Sequence, residues 1–102
     1  MGDPRAIELA ERAYNMAPNR AEIMDTYGWL LVKSGGIEQG LRLLEEAARL
    51  TPNNGDIRYH LAATLAKAGD QSRARDELGA LLDSGADFPE KAAAQALYQV
   101  LK

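Results

Sequence analysis

Few residues in this chain are equipped for bond-making chemistry. It has a single histidine, His60, and no cysteine. A structural or catalytic zinc centre needs several nitrogen or sulfur ligands, so metal binding at His60 is not expected; a hydrogen-bonding or packing role is. The lack of cysteine also excludes a disulfide framework and a thiol nucleophile. Aspartate and glutamate are plentiful, at 15 together. No pattern places two of them in one apolar pocket, which raising a carboxylate for acid–base work would require. Gly35, Gly36 and Gly40 are not followed by the Gly-Lys-Ser/Thr of a phosphate-cradling loop. No G-x-S-x-G elbow occurs either. Neither catalysis nor a cofactor is expected. Recognition chemistry remains, centred on Trp29, the one tryptophan, with Tyr59 and His60. Exposed Trp and Tyr are common energetic anchors at interfaces. The alternative is that Trp29 packs against a neighbouring helix and does nothing else.

These residues have to be positioned by a repeated element. Pro18 and Pro52 stand 34 residues apart, as do Gly35 and Gly69. A fixed period of this length is the signature of a helical repeat array. The chain has 102 residues, one domain's worth, with abundant alanine and only 6% aromatics. Small side chains let helices approach closely, and no run alternates apolar and polar residues as a strand would. The expected class is all-α. The net charge of −3 gives no bulk attraction to nucleic acid or anionic membrane. No apolar run is long enough to span a bilayer, so no direct membrane insertion is expected. The opening residues lack the apolar stretch of a signal peptide.

Six helices follow from the pattern. Asp3 and Pro4 suit the cap and first position of a helix running to about Met16. Ile7, Leu9, Ala10, Ala13 and Tyr14 form its apolar stripe. Pro18 ends it, and Asn19 with Glu22 resembles a capping box for the second helix. Ile23, Met24, Tyr27, Gly28, Leu30 and Leu31 recur there at helical spacing. Gly35 or Gly36 closes it with a left-handed cap. The third helix, 37–50, buries Ile37, Leu41, Leu44, Ala47 and Ala48. The fourth, 55–68, turns Ile57, Leu61, Leu65 and Ala68 inward. The fifth, 71–83, uses Ala74, Leu78, Leu81 and Leu82. A longer turn at 84–88 precedes a sixth helix from Pro89 to about Leu101, apolar at Ala92, Ala93, Ala96, Leu97, Val100 and Leu101. Glycine inside a helix costs about 1 kcal/mol relative to alanine. Gly28 and Gly40 are therefore read as points of close helix approach, with tolerated surface glycine as the alternative.

With helix pairs and this period in hand, the chain resembles the tetratricopeptide repeat (TPR) family. Met24, Tyr27, Gly28, Leu31, Gly40, Leu44 and Pro52 hold the family's pattern places in residues 21–54. Arg58, Leu61, Ala62, Leu65, Ala74, Leu78 and Ala86 hold them in 55–88, where the closing proline is missing. Ala6, Ala10, Ala13 and Pro18 match the second half of a repeat in 1–20. The resemblance implies one domain: that half repeat, a complete repeat at 21–54, a second at 55–88 and a capping helix at 89–102. It also implies a right-handed α-α superhelix of six short antiparallel helices. A chain that starts mid-repeat is expected to be a fragment, with part of the face around Ile7 and Tyr14 left uncovered and open to self-association. The runs DTYGWLL at 25–31 and DIRYHLAATLAKAGD at 56–70 are similar to the C-terminal repeats of bacterial envelope TPR lipoproteins of PEP-CTERM/exosortase systems. That implies a periplasmic or outer-membrane-associated parent with a role in exopolysaccharide or protein export or assembly; otherwise the compartment is cytoplasmic.

TPR proteins hold peptides or partner segments in the concave groove lined by the first helix of each pair. The resemblance places Asp25, Thr26, Trp29 and Lys33 there from one unit, and Tyr59, His60, Ala63 and Lys67 from the next. Asp25 in this groove would repel an anion and disfavours a terminal-carboxylate clamp. Three readings stand side by side. One is a protein–protein interaction module. The second is a structural end of a longer solenoid, or a self-association module. The third, an enzyme, has no motif behind it.

Overall fold

A computed structural model describes residues 4–102. It comprises α1 (Pro4–Met16), α2 (Ala21–Lys33), α3 (Ile37–Leu50), α4 (Gly55–Lys67), α5 (Gln71–Asp83) and α6 (Lys91–Leu101), with no strand among the described residues. The expected cap at Asp3 lies outside them. Short turns fold each helix back against the one before it, as short connections require. α2 also touches α4, and α4 touches α6, while α1, α3 and α5 make no such approach to one another. The chain is therefore a TPR-like helical solenoid. Its inner side is the row α2, α4 and α6.

The helix ends are set by particular residues. Gly35 adopts a φ of 99°, a region where a side chain would be strained. Its neighbour Gly36 donates its N–H to the Leu31 carbonyl at 2.8 Å, closing the end of α2. The Asn54 side chain caps α4 by accepting from the Ile57 N–H at 3.0 Å, and Asp70 caps α5 by accepting from the Arg73 N–H at 3.2 Å. The expected cap of α2 is not at Asn19. The N-cap is Arg20, with no side-chain cap bond. The Arg20 N–H is bound to the Ala17 carbonyl at 3.3 Å, which carries the turn one residue past Asn19. Glu22 pairs with the Arg20 guanidinium and does not complete a capping box.

At the α2–α3 crossing the two backbones nearly touch. A Cβ on Gly40 would lie 2.7 Å from the Gly28 carbonyl oxygen and 2.5 Å from Val32 Cγ2, so the expected close approach is present. Three clusters form the core. The first joins Val32, Leu44, Leu61, Leu65 and Ala74. The second joins Ala62, Leu78, Leu81, Phe88 and Ala94. The third joins Ala21, Met24, Ala47 and Ile57, with Tyr14 against it. α4 contributes to all three, which is why His60 through Leu65 are buried without a break. Each fully buried leucine contributes on the order of 2 kcal/mol of transfer free energy.

The C-terminal helix departs from expectation. Pro89 and Glu90 form a turn, and α6 begins at Lys91, two residues later than the period of α2 and α4 dictates. Buried Phe88 anchors that turn. The delay rotates the helix. Ala94 is its buried residue, with Leu97, Tyr98 and Leu101 half-buried, whereas Ala92, Ala93, Ala96 and Val100 face water. Leu9 on α1, placed in an apolar stripe by its spacing, is 63% exposed. Ala68, expected inward, is exposed at the end of α4.

Candidate functional site

The centre of the inner side is His60. α4 presents it at 7% exposure, with a carboxylate on each ring nitrogen. Nδ1 lies 2.6 Å from Asp25 Oδ1 on α2, and Nε2 lies 2.9 Å from Glu90 Oε1 ahead of α6. Ionised carboxylates only accept hydrogen bonds, so the arrangement is complete when both ring nitrogens carry protons. Burial disfavours that charge, but the hydrogen bonds and charges of Asp25 and then Glu90 outweigh it and raise the His60 pKa above its ordinary value. Both nitrogens are thus occupied. Among the described residues no group of three or more His, Cys, Asp or Glu is arranged to hold a metal.

Aromatic rings cover this bridge. Trp29 stacks on His60 with centroids 4.2 Å apart and planes 18° from parallel. An imidazolium against an indole face is a favourable charge–quadrupole contact. Lys33 Nζ lies 5.4 Å from the Trp29 ring centroid. Tyr59 tilts toward both Trp29 and His60, at 6.4 and 5.8 Å. The indole is half-buried against the first core cluster and half-open to solvent.

Beside these rings an open cleft of about 530 Å³ runs over the C-terminal ends of α2, α4 and α6. Trp29, Lys33, Tyr59, Ala63 and Lys67 line it, together with Leu97 and Val100 of α6. The structure therefore gathers five of the eight residues expected from sequence. Asp25 and His60 sit next to the cleft and engage each other. Thr26 is exposed, and its hydroxyl donates to the Glu22 carbonyl at 3.0 Å. Sequence reasoning missed Glu90, Leu97 and Val100. A two-residue slip of α6 relative to the period would have brought Glu90 to the head of the helix and Leu97 inward.

Paired helices, a constant stride and a row of first helices forming a trough define a class: helical-repeat scaffolds, whose repeats stack along one axis. Residues 31–101 match the family model described as "Tetratricopeptide repeat", and the chain belongs to that family. It is similar to the human protein named "Protein O-mannosyl-transferase TMTC1", 36% identical over 69 residues. The match covers 68% of this chain and 8% of that protein, so the chain spans about one-twelfth of the relative's length. Tetratricopeptide repeats are typically non-catalytic scaffold modules for protein–protein interaction. No helix among the described residues is long and apolar enough to cross a membrane.

Proposed function

We propose that this chain is a non-catalytic module that binds a segment of a partner protein in its concave groove. The observation behind the reading is the cleft over α2, α4 and α6. Trp29 and Tyr59 offer large, rigid, half-open apolar surface there, and Lys33 and Lys67 flank them. Such residues are the usual anchors of an interface. Trp29, Tyr59 and Ala63 contact the partner, and Lys33 and Lys67 set its polarity. Thr26 lies at the edge. Asp25 and His60 act from beneath, by fixing the Trp29 ring. The proposed unit boundaries remain 1–20, 21–54, 55–88 and 89–102, the last a capping helix. The enzyme activity in the relative's name is not carried over, because the shared stretch is a small part of that protein. An envelope parent involved in export or assembly is the finer form of this reading. It rests on the similarity around Gly28-Trp29 and Tyr59-His60-Leu61, and a lipobox with many upstream repeats in the parent gene would support it.

The test is titration with candidate partner segments while amide shifts are followed. Responses clustered at Trp29, Tyr59 and Ala63 are expected. Responses confined to α3 and α5 would sink the groove assignment.

A second reading, a structural or self-associating end of a solenoid, is favoured by α1. Leu9 and Met16 are 63% and 86% exposed and lie one heptad apart, hence on one face. The residue one period after Leu9 is Leu43, which packs against α2. Sedimentation should then show association that Leu9→Glu abolishes. A monomer at every concentration would remove self-association.

A further inference from the structure

The cleft has a composition that selects among partners, and this inference rests on the groove reading above. Its floor is apolar, formed by Trp29, Tyr59, Leu97 and Val100. Val100 is 79% exposed, a branched side chain left in water beside two aromatic rings. Contiguous apolar surface of this kind, rimmed by polar groups, marks an interaction site.

The rim is cationic. Lys33 and Lys67 both border the cleft, and among the described residues neither has a carboxylate partner within ion-pair distance, whereas Arg20, Arg49, Arg73 and Arg75 are all engaged by Glu22, Glu46, Glu45 and Asp76. Asp25 and Glu90, beside the aromatic floor, are turned onto His60. The chain is negative overall, yet this patch presents two uncompensated positive charges next to low-dielectric aromatic surface. Charge attraction is larger there than in open water.

We propose that the cleft receives an internal partner segment in which one or two large apolar side chains are flanked by aspartate or glutamate. The apolar side chains lie on Trp29, Tyr59 and Val100, and the flanking carboxylates reach Lys33 and Lys67. Charge complementarity of this kind fixes orientation and rejects partners of the wrong sign.

The experiment uses the full chain and the fluorescence of its single tryptophan. Four short peptides share a central Leu-Phe pair. Three are blocked at both ends and flanked by Glu, Gln or Lys; the fourth is Gln-flanked with a free C-terminal carboxylate. The Glu-flanked peptide should bind roughly five- to tenfold more tightly than the blocked Gln-flanked one, the effect of two partly exposed charge pairs. That advantage should shrink as salt rises. Lys33→Gln with Lys67→Gln should erase the difference in affinity between the Glu-flanked and the blocked Gln-flanked peptides. Equal binding of the Glu and Gln peptides, or preference for the Lys peptide, would overturn the acidic specificity and leave the groove reading standing. Binding that needs the free terminal carboxylate would replace an internal segment with a chain end. If no peptide perturbs Trp29 or the amides around it, the groove reading itself falls.

Discussion

At the scale of single residues, the decisive contact is between groups far apart in sequence. His60 joins Asp25 on α2 to Glu90 at the start of α6, with Trp29 lying flat on the ring. The folded state holds the His60 proton more tightly than the unfolded chain, whose reference value is 6.5. The stabilisation is therefore complete below that reference pH and is lost as pH rises through the higher folded pKa. Thermal midpoints should fall as pH rises above 6.5 through the raised folded pKa, a window above the ordinary carboxylate range. His60→Gln should flatten this dependence and lower stability at pH 6 by about 1–3 kcal/mol, since two partly buried carboxylates lose their shared donor. A wild-type profile flat across the window would show that the bridge is not protonated. Asp25 and His60 were expected on the inner face because the resemblance to the repeat family places them there. Their partnership was not, because Glu90 lies beyond a turn that breaks the period.

At the scale of elements, what the repeat dictates and what it leaves free can be separated by two glycines. Gly40 lies where α3 crosses α2, and a methyl group there would meet a backbone carbonyl at 2.7 Å. Alanine gains about 1 kcal/mol of helix propensity over glycine, but overpacking at a rigid crossing costs about 1–3 kcal/mol. Gly40→Ala should destabilise by roughly 1 kcal/mol on balance, since a backbone atom cannot swing away. Gly79, inside α5, has Tyr98 atoms no closer than 3.5 Å to an added Cβ, an ordinary contact. Gly79→Ala should stabilise by about 0.5–1 kcal/mol. Chemical denaturation of both variants checks the pair; the same sign for both would contradict the crossing geometry. The cost of a glycine inside a helix, met at both Gly28 and Gly40, pointed to this close approach in advance. The face of α6 did not follow, because alanines at 92, 93, 94 and 96 let a helical stripe be drawn in more than one rotation. Packing of Phe88 and the late start at Lys91 chose among them.

At the scale of the whole molecule, stability is shared between neighbours along one axis, as in other helical repeats. α6 covers Leu78, Leu81 and Phe88 through Ala94, Leu97 and Tyr98 and turns Gln95 and Gln99 to water, with Ala92, Ala93, Ala96 and Val100 beside them. Removing residues 89–102 would uncover that cluster and take away Glu90, leaving His60 with Asp25 alone. Leu78 and Leu81, now almost wholly buried, would each forfeit on the order of 1–2 kcal/mol of burial if laid open, a large share of the margin available to a chain this small. The truncated chain should therefore unfold at a lower denaturant midpoint, with a broadened transition, and should aggregate at concentrations where the intact chain does not. Circular dichroism and light scattering on the two proteins measure both effects. A sharp transition at an unchanged midpoint would mean that the first five helices are sufficient, and that α6 contributes to the cleft without capping the stack.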